Sequence, residues 1–355
     1  MAKVEQLLSY SSNWLTARGS SSGIVLSSRV RAARNLEGFS FPLYCSDKSR
    51  EEIINLVQTT VCRSLYLKDA IFFEVNRLPH LDRQFLLERH LISTELVEEK
   101  RKCGLFVGEQ EILGMMINEE DHLRLQAMSS GLQLVETFQL LSKLDDELQP
   151  LLPYAFHQEW GYLTACPTNT GTGLRASILI HLPALVLTKE IDKVLKSIFQ
   201  IGLAVRGLYG EGTEVKGNFF QISNQTTLGR SEEELIEMVD KVTRQIILQE
   251  INARELLLKE AKAETEDKIW RAKGILENAR VLTSEEVINL SSAMRLGVTM
   301  EILKSPDIQT LNELLIFSQP AHLQKILNRE MQPQERDTER AQWVRRRLCE
   351  GSARK

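Results

Sequence analysis

Ser27-Ser28-Arg29-Val30-Arg31 is the stretch from which the rest of the chain can be read. Side chains alternate across a strand, so Arg29 and Arg31 point to one face and Val30 to the other. Arginines recur at comparable places downstream. Arg124 follows Asn118-Glu119-Glu120-Asp121-His122, Arg175 follows Cys166-Pro167-Thr168-Asn169-Thr170-Gly171-Thr172-Gly173, and Arg206 precedes Gly207-Leu208-Tyr209-Gly210-Glu211-Gly212. Taken singly, each reads as a solvated surface residue. Brought together, these guanidinium groups would hold a triphosphate through charge-assisted, often bidentate hydrogen bonds.

Two carboxylate motifs complement the arginines. Asn118 to His122 crowds three acids after a strand, and Glu211 lies between two glycines, where backbone can approach a ligand closely. The first reads equally as a solvated acidic turn. A protonated guanidinium is a poor nucleophile. Two carboxylates could grip it, orient one nitrogen and accept its proton. Cys166, before a proline at a strand end, is either a small structural residue or a thiolate near such a guanidinium. His80, His157, His181 and His322 show no metal-ligand spacing and read as packing or hydrogen-bonding residues. No G-x-x-x-x-G-K-[ST], H-R-D or D-F-G motif occurs, and Gly171-Thr172-Gly173 alone says little.

Composition sets the frame. The chain has 355 residues, 43% apolar and 26% charged, with a formal net charge of -4. That length suits two domains, and that charge offers no basic field for direct nucleic-acid binding. Five cysteines without a C-x-x-C pair argue against a disulfide framework or zinc site and for a reducing, cytoplasmic setting. The first twenty residues lack the apolar core of a signal peptide. The longest largely apolar run, Ala176 to Leu187, is too short for a membrane span.

Strands are predicted at Ile71–Val75, Glu111–Ile117, Gly161–Cys166 and Gly217–Ile222. Beyond residue 230 the pattern is helical. Ser231 with Glu234 and Thr283 with Glu286 form capping boxes, and Pro306, Pro320 and Pro333 punctuate the later helices. The expected fold is α+β, a largely antiparallel sheet flanked by helices over 1–254, followed by an all-helical domain over 255–355.

Ser27 to Arg31, Asn118 to Arg124, Cys166 to Arg175 and Arg206 to Glu211 resemble, in order and spacing, the catalytic motifs of the guanidino (phosphagen) kinases. His181-Leu182-Pro183-Ala184-Leu185-Val186-Leu187-Thr188, Ile222-Ser223-Asn224-Gln225 and the C-terminal Arg336-Asp337-Thr338-Glu339-Arg340-Ala341 narrow the resemblance to the bacterial protein arginine kinases, over nearly the whole chain. The resemblance implies a phosphagen-kinase-like catalytic domain, ATP as phosphoryl donor, and Mg²⁺ held by phosphates and water. It implies that Arg29, Arg31, Arg124, Arg175 and Arg206 hold phosphates and that His90 contacts the nucleotide. The remaining nucleotide-site positions it implies are Ser27, Ser28 and Val30, then Ala176, Ser177, Ile178 and Leu179, then Gly207, Leu208, Tyr209, Gly210 and Glu211. Glu120 and Glu211 correspond to the carboxylates on the acceptor guanidinium, and Cys166 to the active-site cysteine. Arg336, Asp337 and Arg340 correspond to a phosphoarginine-binding motif.

The motifs begin at Ser27, which leaves no room ahead of them for the small helical domain that covers a free amino acid in other guanidino kinases. An added helical region follows them instead. Both departures favour arginine side chains of proteins as acceptors. The resemblance further implies an activator of the McsA type, a Clp-type ATPase, a stress-gene repressor as substrate, and regulation by phosphoarginine. A homodimer is compatible with these expectations. Two other readings stand beside this one: a kinase for free arginine or another small guanidine, and a non-catalytic adaptor that binds phosphoarginine.

Overall fold

In the computed structural model the described residues are 4–207 and 215–353. Short strands and helices alternate through the first part of the chain. β1 (Val25–Arg34) precedes α1 (Asp47–Val61), β2 (Ile71–Glu74), α2 (His80–Glu88) and α3 (Thr94–Glu98). β3 (Gly104–Val107), β4 (Leu113–Ile117) and β5 (Leu123–Ser130) lead into α4 (Leu134–Leu148). A small hairpin, β6 (Phe156–His157) and β7 (Gly161–Tyr162), comes before β8 (Leu174–His181). Then follow α5 (Pro183–Leu187), α6 (Ile191–Gln200), β9 (Leu203–Arg206) and β10 (Phe219–Asn224).

Eight of these strands form one sheet in the order β2-β3-β4-β5-β1-β8-β10-β9, every neighbouring pair antiparallel. β1 is central because its inward residues Val25, Val30 and Ala32 are fully apolar and buried. They join Leu125, Ala127, Ala176, Ile178 and Ile222, together with Leu141 and Leu144 of α4, in the largest core. The sheet is thus apolar on the face packed on helices and free to carry polar groups on the other.

The rest is helical: α7 (Glu232–Glu260), α8 (Lys262–Asn278), α9 (Ser284–Thr299), α10 (Ile308–Phe317), α11 (Pro320–Ile326) and α12 (Pro333–Ala353). Both predicted capping boxes are present, at Ser231/Glu234 and Thr283/Glu286. A second core holds the last five helices together through Ile269, Met294, Leu314, Leu323 and Val344. The division placed at 254/255 falls within the continuous helix α7.

Three strand expectations need correction, and the first is Gly217–Ile222, which is a strand over Phe219–Asn224 because Gly217 and Asn218 take positive φ. The 111–117 strand starts at Leu113, because Gln110 and Glu111 take positive φ in a 3-10 turn. Of Gly161–Cys166, only Gly161–Tyr162 pairs as a strand. Beyond it Ala165 N donates to Asp121 Oδ1 at 2.7 Å, which turns the chain toward the acidic loop rather than along the sheet.

Candidate active site

Register brings the arginines together. On β1, Arg31 stands opposite Arg175 of β8 and Gln126 of β5, and Arg29 opposite Ser177 and Met128. Arg124 lies two residues from Gln126 and therefore on the same face. Gln221 of β10 stands opposite both Leu179 of β8 and Arg206 of β9. One polar face so carries Arg29, Arg31, Arg124, Arg175 and Arg206, and all five line a cleft of about 670 Å³. His90, Glu119, Glu120 and Cys166 line it as well.

The arginines have different partners. Glu119 accepts from Arg124 Nη1 at 2.9 and 3.1 Å. Burial opposes both charges, yet this contact leaves Arg124 raised and Glu119 lowered from their ordinary values. Arg29 donates to the neutral Gln221 Oε1 at 3.0 Å and Arg175 to Ser223 Oγ at 3.1 Å. Burial, then Arg124 and Arg175, push Arg29 down to about 9. Arg31 is lowered further by burial and by the guanidiniums of Arg29, Arg124 and Arg175. Its Nε is buried with no hydrogen-bond partner among the described residues. Cations crowded against neutral acceptors make a receptor for a polyanion.

His90 sits at the end of α2 with φ 60°, and its carbonyl accepts from Gln126 Nε2 at 3.0 Å. Its ring packs edge-on to Trp14 at 5.4 Å. Burial, Arg29 and Arg31 push its pKa down to about 3, so the ring is neutral at neutral pH.

Across the cleft, Glu120 Oε2 accepts from Asn169 Nδ2 at 3.4 Å, and Cys166 Sγ lies 3.1 Å from Thr168 Oγ1. Burial, then Asp121 and Glu119, raise the pKa of Glu120. A carboxylate with raised proton affinity is suited to accept a proton. Asp121 faces inward and accepts from Asn35 Nδ2 at 2.6 Å, which fixes the acidic loop from below.

Ser27, Ser28, Val30, Ala176, Ser177, Ile178 and Leu179 lie in β1 and β8 beneath the cleft and do not line it. Ser28 instead ties β1 to the start of α4, donating to Gly131 O at 2.8 Å and accepting from Gln133 N at 2.9 Å. Gly207 follows β9 and is buried. Leu208, Tyr209, Gly210 and Glu211 fall outside the described residues. Among the described residues no cluster of three metal-ligating side chains occurs.

Sequence reading missed Arg50. Its guanidinium is fully buried and donates to Asn118 O at 3.2 Å, Lys102 O at 3.3 Å and Pro42 O at 2.5 Å. Asn118, at φ 59°, returns a bond to Arg50 O at 3.0 Å. Arg50 thereby holds the loop that carries Glu119 and Glu120. No local signal in the sequence marks it, since α1 reads as an ordinary surface helix.

Arg336, Asp337 and Arg340 lie on α12, apart from the cleft. Arg340 is 1% exposed and donates to Ser318 O at 2.7 Å, Leu282 O at 2.8 Å and the Asp337 carboxylate. Arg336 is half-buried and donates to Met331 O at 3.4 Å.

Comparison with known proteins accords with this geometry. The ATP:guanido phosphotransferase C-terminal catalytic domain matches residues 52–253, and the protein-arginine kinase McsB C-terminal domain matches residues 262–355. The chain is 45% identical over 340 residues to the protein-arginine kinase of Desulforamulus reducens, covering 95% of each. It is 46% identical over 340 residues to that of Symbiobacterium thermophilum, covering 95% of this chain and 96% of the relative. Among solved structures, lombricine kinase superposes with TM-score 0.59 at 22% identity, over 68% of this chain and 71% of that one. The duplicated taurocyamine kinase of Schistosoma mansoni gives TM-score 0.59 at 24% identity, over 81% of this chain and 41% of that one. Similarity at that level speaks to the fold alone. Two successive family matches and relatives that align over 95% of the chain give one answer: the chain belongs to the ATP:guanido phosphotransferase family and, within it, to the protein-arginine kinases.

Proposed function

We propose that the arginine-lined cleft binds ATP and transfers its γ-phosphoryl group in line to a terminal nitrogen of a protein arginine. The observation that carries this reading is one sheet face presenting Arg29, Arg31, Arg124, Arg175 and Arg206 to a cleft whose other wall holds Glu120. The arginines offset the charge of the triphosphate and of the transferring group. Glu120 orients the acceptor guanidinium and takes its proton as the N–P bond forms, and Glu211 is assigned the same guanidinium. Cys166 lies beside that guanidinium. His90, neutral, packs against the nucleotide. Mg²⁺, carried by the phosphates and water, supplies further charge neutralisation.

The two family matches support a catalytic unit followed by a helical unit, with Arg336, Asp337 and Arg340 assigned to phosphoarginine. An McsA-type activator, a Clp-type ATPase and a stress-gene repressor are the partners proposed, in the cytoplasm; no helix among the described residues is long and apolar enough to cross a membrane. Incubation with labelled ATP and an arginine-rich protein tests the activity. Acid-labile, base-stable label that disappears in Arg175→Ala is expected. Acid-stable label, or none, would refute the reading.

A further inference from the structure

Phe41-Pro42-Leu43-Tyr44-Cys45 forms a 3-10 turn at the cleft mouth, with Tyr44 N bonded to Phe41 O at 2.8 Å and Cys45 N to the same oxygen at 3.1 Å. Its two outward side chains are apolar in body and open to water: Leu43 is 64% and Tyr44 78% exposed. Isolated exposed apolar residues need no explanation. This pair differs in how its backbone is fastened. Arg50 donates to Pro42 O at 2.5 Å, Arg101 to Leu43 O at 3.1 Å, and His122 Nε2 lies 2.8 Å from Ser40 O. Arg101 is itself held by Glu99 at 2.7 and 3.0 Å. The buried Arg50 guanidinium, with Arg101 and the His122 ring, thus grips the turn and holds two apolar side chains out into solvent.

Position gives the pair a meaning. Leu43 lines the cleft together with Glu95, Glu99 and Glu120. The same Arg50 guanidinium that holds Pro42 also holds Asn118, the residue before Glu119 and Glu120. The lip and the loop that carries Glu120 are therefore fastened to one buried guanidinium. An arginine within a polypeptide can reach Glu120 only if its own backbone crosses the mouth, so the residues flanking it must meet whatever borders that mouth. A preorganised Leu–Tyr pair offers them apolar area at little entropic cost.

We propose that Leu43 and Tyr44 are the docking lip for the polypeptide stretch flanking the acceptor arginine, and that they favour arginines with apolar neighbours. The proposal rests on the kinase reading above and adds a substrate class to it.

The test uses the full chain and two unstructured peptides, identical except that the single arginine is flanked by leucine and phenylalanine in one and by serines in the other. Wild type should show a kcat/KM ratio of roughly ten in favour of the apolar-flanked peptide, the scale of burying about one aliphatic side chain. In the Leu43→Ser, Tyr44→Ser double variant the ratio should fall to near one through a higher KM for the apolar-flanked peptide. A thermal melt of the variant should match wild type, since both side chains are exposed. Wild-type label with no flank preference, or a variant that keeps the preference, would overturn the lip alone. Absence of acid-labile label on either peptide with wild type would overturn the kinase reading and the lip with it.

Discussion

Arg31 should be a residue that the protein keeps at a cost to its own stability, and Arg31→Met tests this in both directions. In the free protein its guanidinium is crowded by Arg29, Arg124 and Arg175, with Glu119 the acid that offsets them. Arg175 stands directly across the β1–β8 register, and Arg31 Nε is buried with no hydrogen-bond partner among the described residues. Replacing this cation with an apolar chain of similar length removes like-charge repulsion and desolvation together. A gain of about 1 kcal/mol is expected, the low end for exchanging charge for apolar groups, because Arg31 is only partly buried at the cleft. For a chain of this size that raises the melting temperature by about 2 °C.

ATP reverses the sign. A charge-assisted hydrogen bond to phosphate is worth roughly 1.5–3 kcal/mol, so losing one weakens ATP binding about 30-fold at 2 kcal/mol. At an ATP concentration about 100 times the wild-type Kd, ligand stabilises wild type by about 2.7 kcal/mol. The same concentration is then only about threefold above the variant's Kd and stabilises it by roughly 0.9 kcal/mol. Thermal melts with and without Mg-ATP, with calorimetric titration, read both quantities. A variant that melts lower than wild type without ATP, or that keeps the full ATP-induced shift, would refute the view of these arginines as an anion receptor held under strain.

Glu120→Gln should lower turnover at least ~100-fold with little change in ATP affinity, because it removes a positioned proton acceptor and leaves the arginine face intact; near-wild-type turnover in steady-state assays would remove Glu120 from the mechanism. Asp337→Ala should abolish phosphoarginine binding measured by calorimetry while ATP binding survives; equal binding by both proteins would leave α12 as ordinary structure. Glu88 gives a pH prediction. Its carboxyl is raised to about 7, chiefly by burial, against the N–H groups of Ala321 and His322 and the guanidiniums of Arg340 and Arg336, with Arg89 the next residue along the chain. A raised acid holds its proton in the folded state after the unfolded chain has released it. Wild-type stability should therefore fall by up to about 1.4 kcal/mol per pH unit between the unfolded acid value and about 7, then level off. Urea denaturation should show Glu88→Gln lacking this component, so its stability relative to wild type rises across that window; parallel pH profiles would contradict it.

Much of the site was legible because strand alternation is local. Arg29 and Arg31 face one way for the same reason that Val30 faces the core, and five residues of sequence suffice to see it. That Arg31 stands opposite Arg175 was not legible, since register between β1 and β8 is fixed by long-range packing of their apolar faces. Arg50 was invisible for a different reason. Asp47-Lys48-Ser49-Arg50-Glu51-Glu52 has the polarity of a solvated first turn, and only the fold lays three chain segments over one of its members. The predicted Gly161–Cys166 strand failed because a buried carboxylate, Asp121, captures Ala165 N. His181 and His322 read as ordinary packing residues and are buried, the first 2.7 Å from Ser292 Oγ and the second 3.0 Å from Arg89 Nη1.

Glu88, Arg89 and His90 show how closely the helical region and the cleft are joined. Glu88 accepts from Ala321 N at 2.9 Å and His322 N at 2.7 Å, so the end of α2 holds the start of α11. Arg89, fully buried, donates to Glu111 and to Ser12 Oγ at 2.9 Å, and meets His322 as well. His90, the next residue, lines the cleft, and its carbonyl takes the amide of Gln126, which stands opposite Arg31. Three consecutive residues therefore have one end in the C-terminal helices and the other against the arginine face. Arg340, whose bonds to Ser318 and Leu282 fasten α12, contributes to the field at Glu88. Well-packed buried groups of this kind move together or not at all. The positive φ at His90 sets that residue at the cleft, and Arg89 beside it is bonded to Ser12, Glu111 and His322, so the wall of the cleft is tied to contacts made outside the sheet.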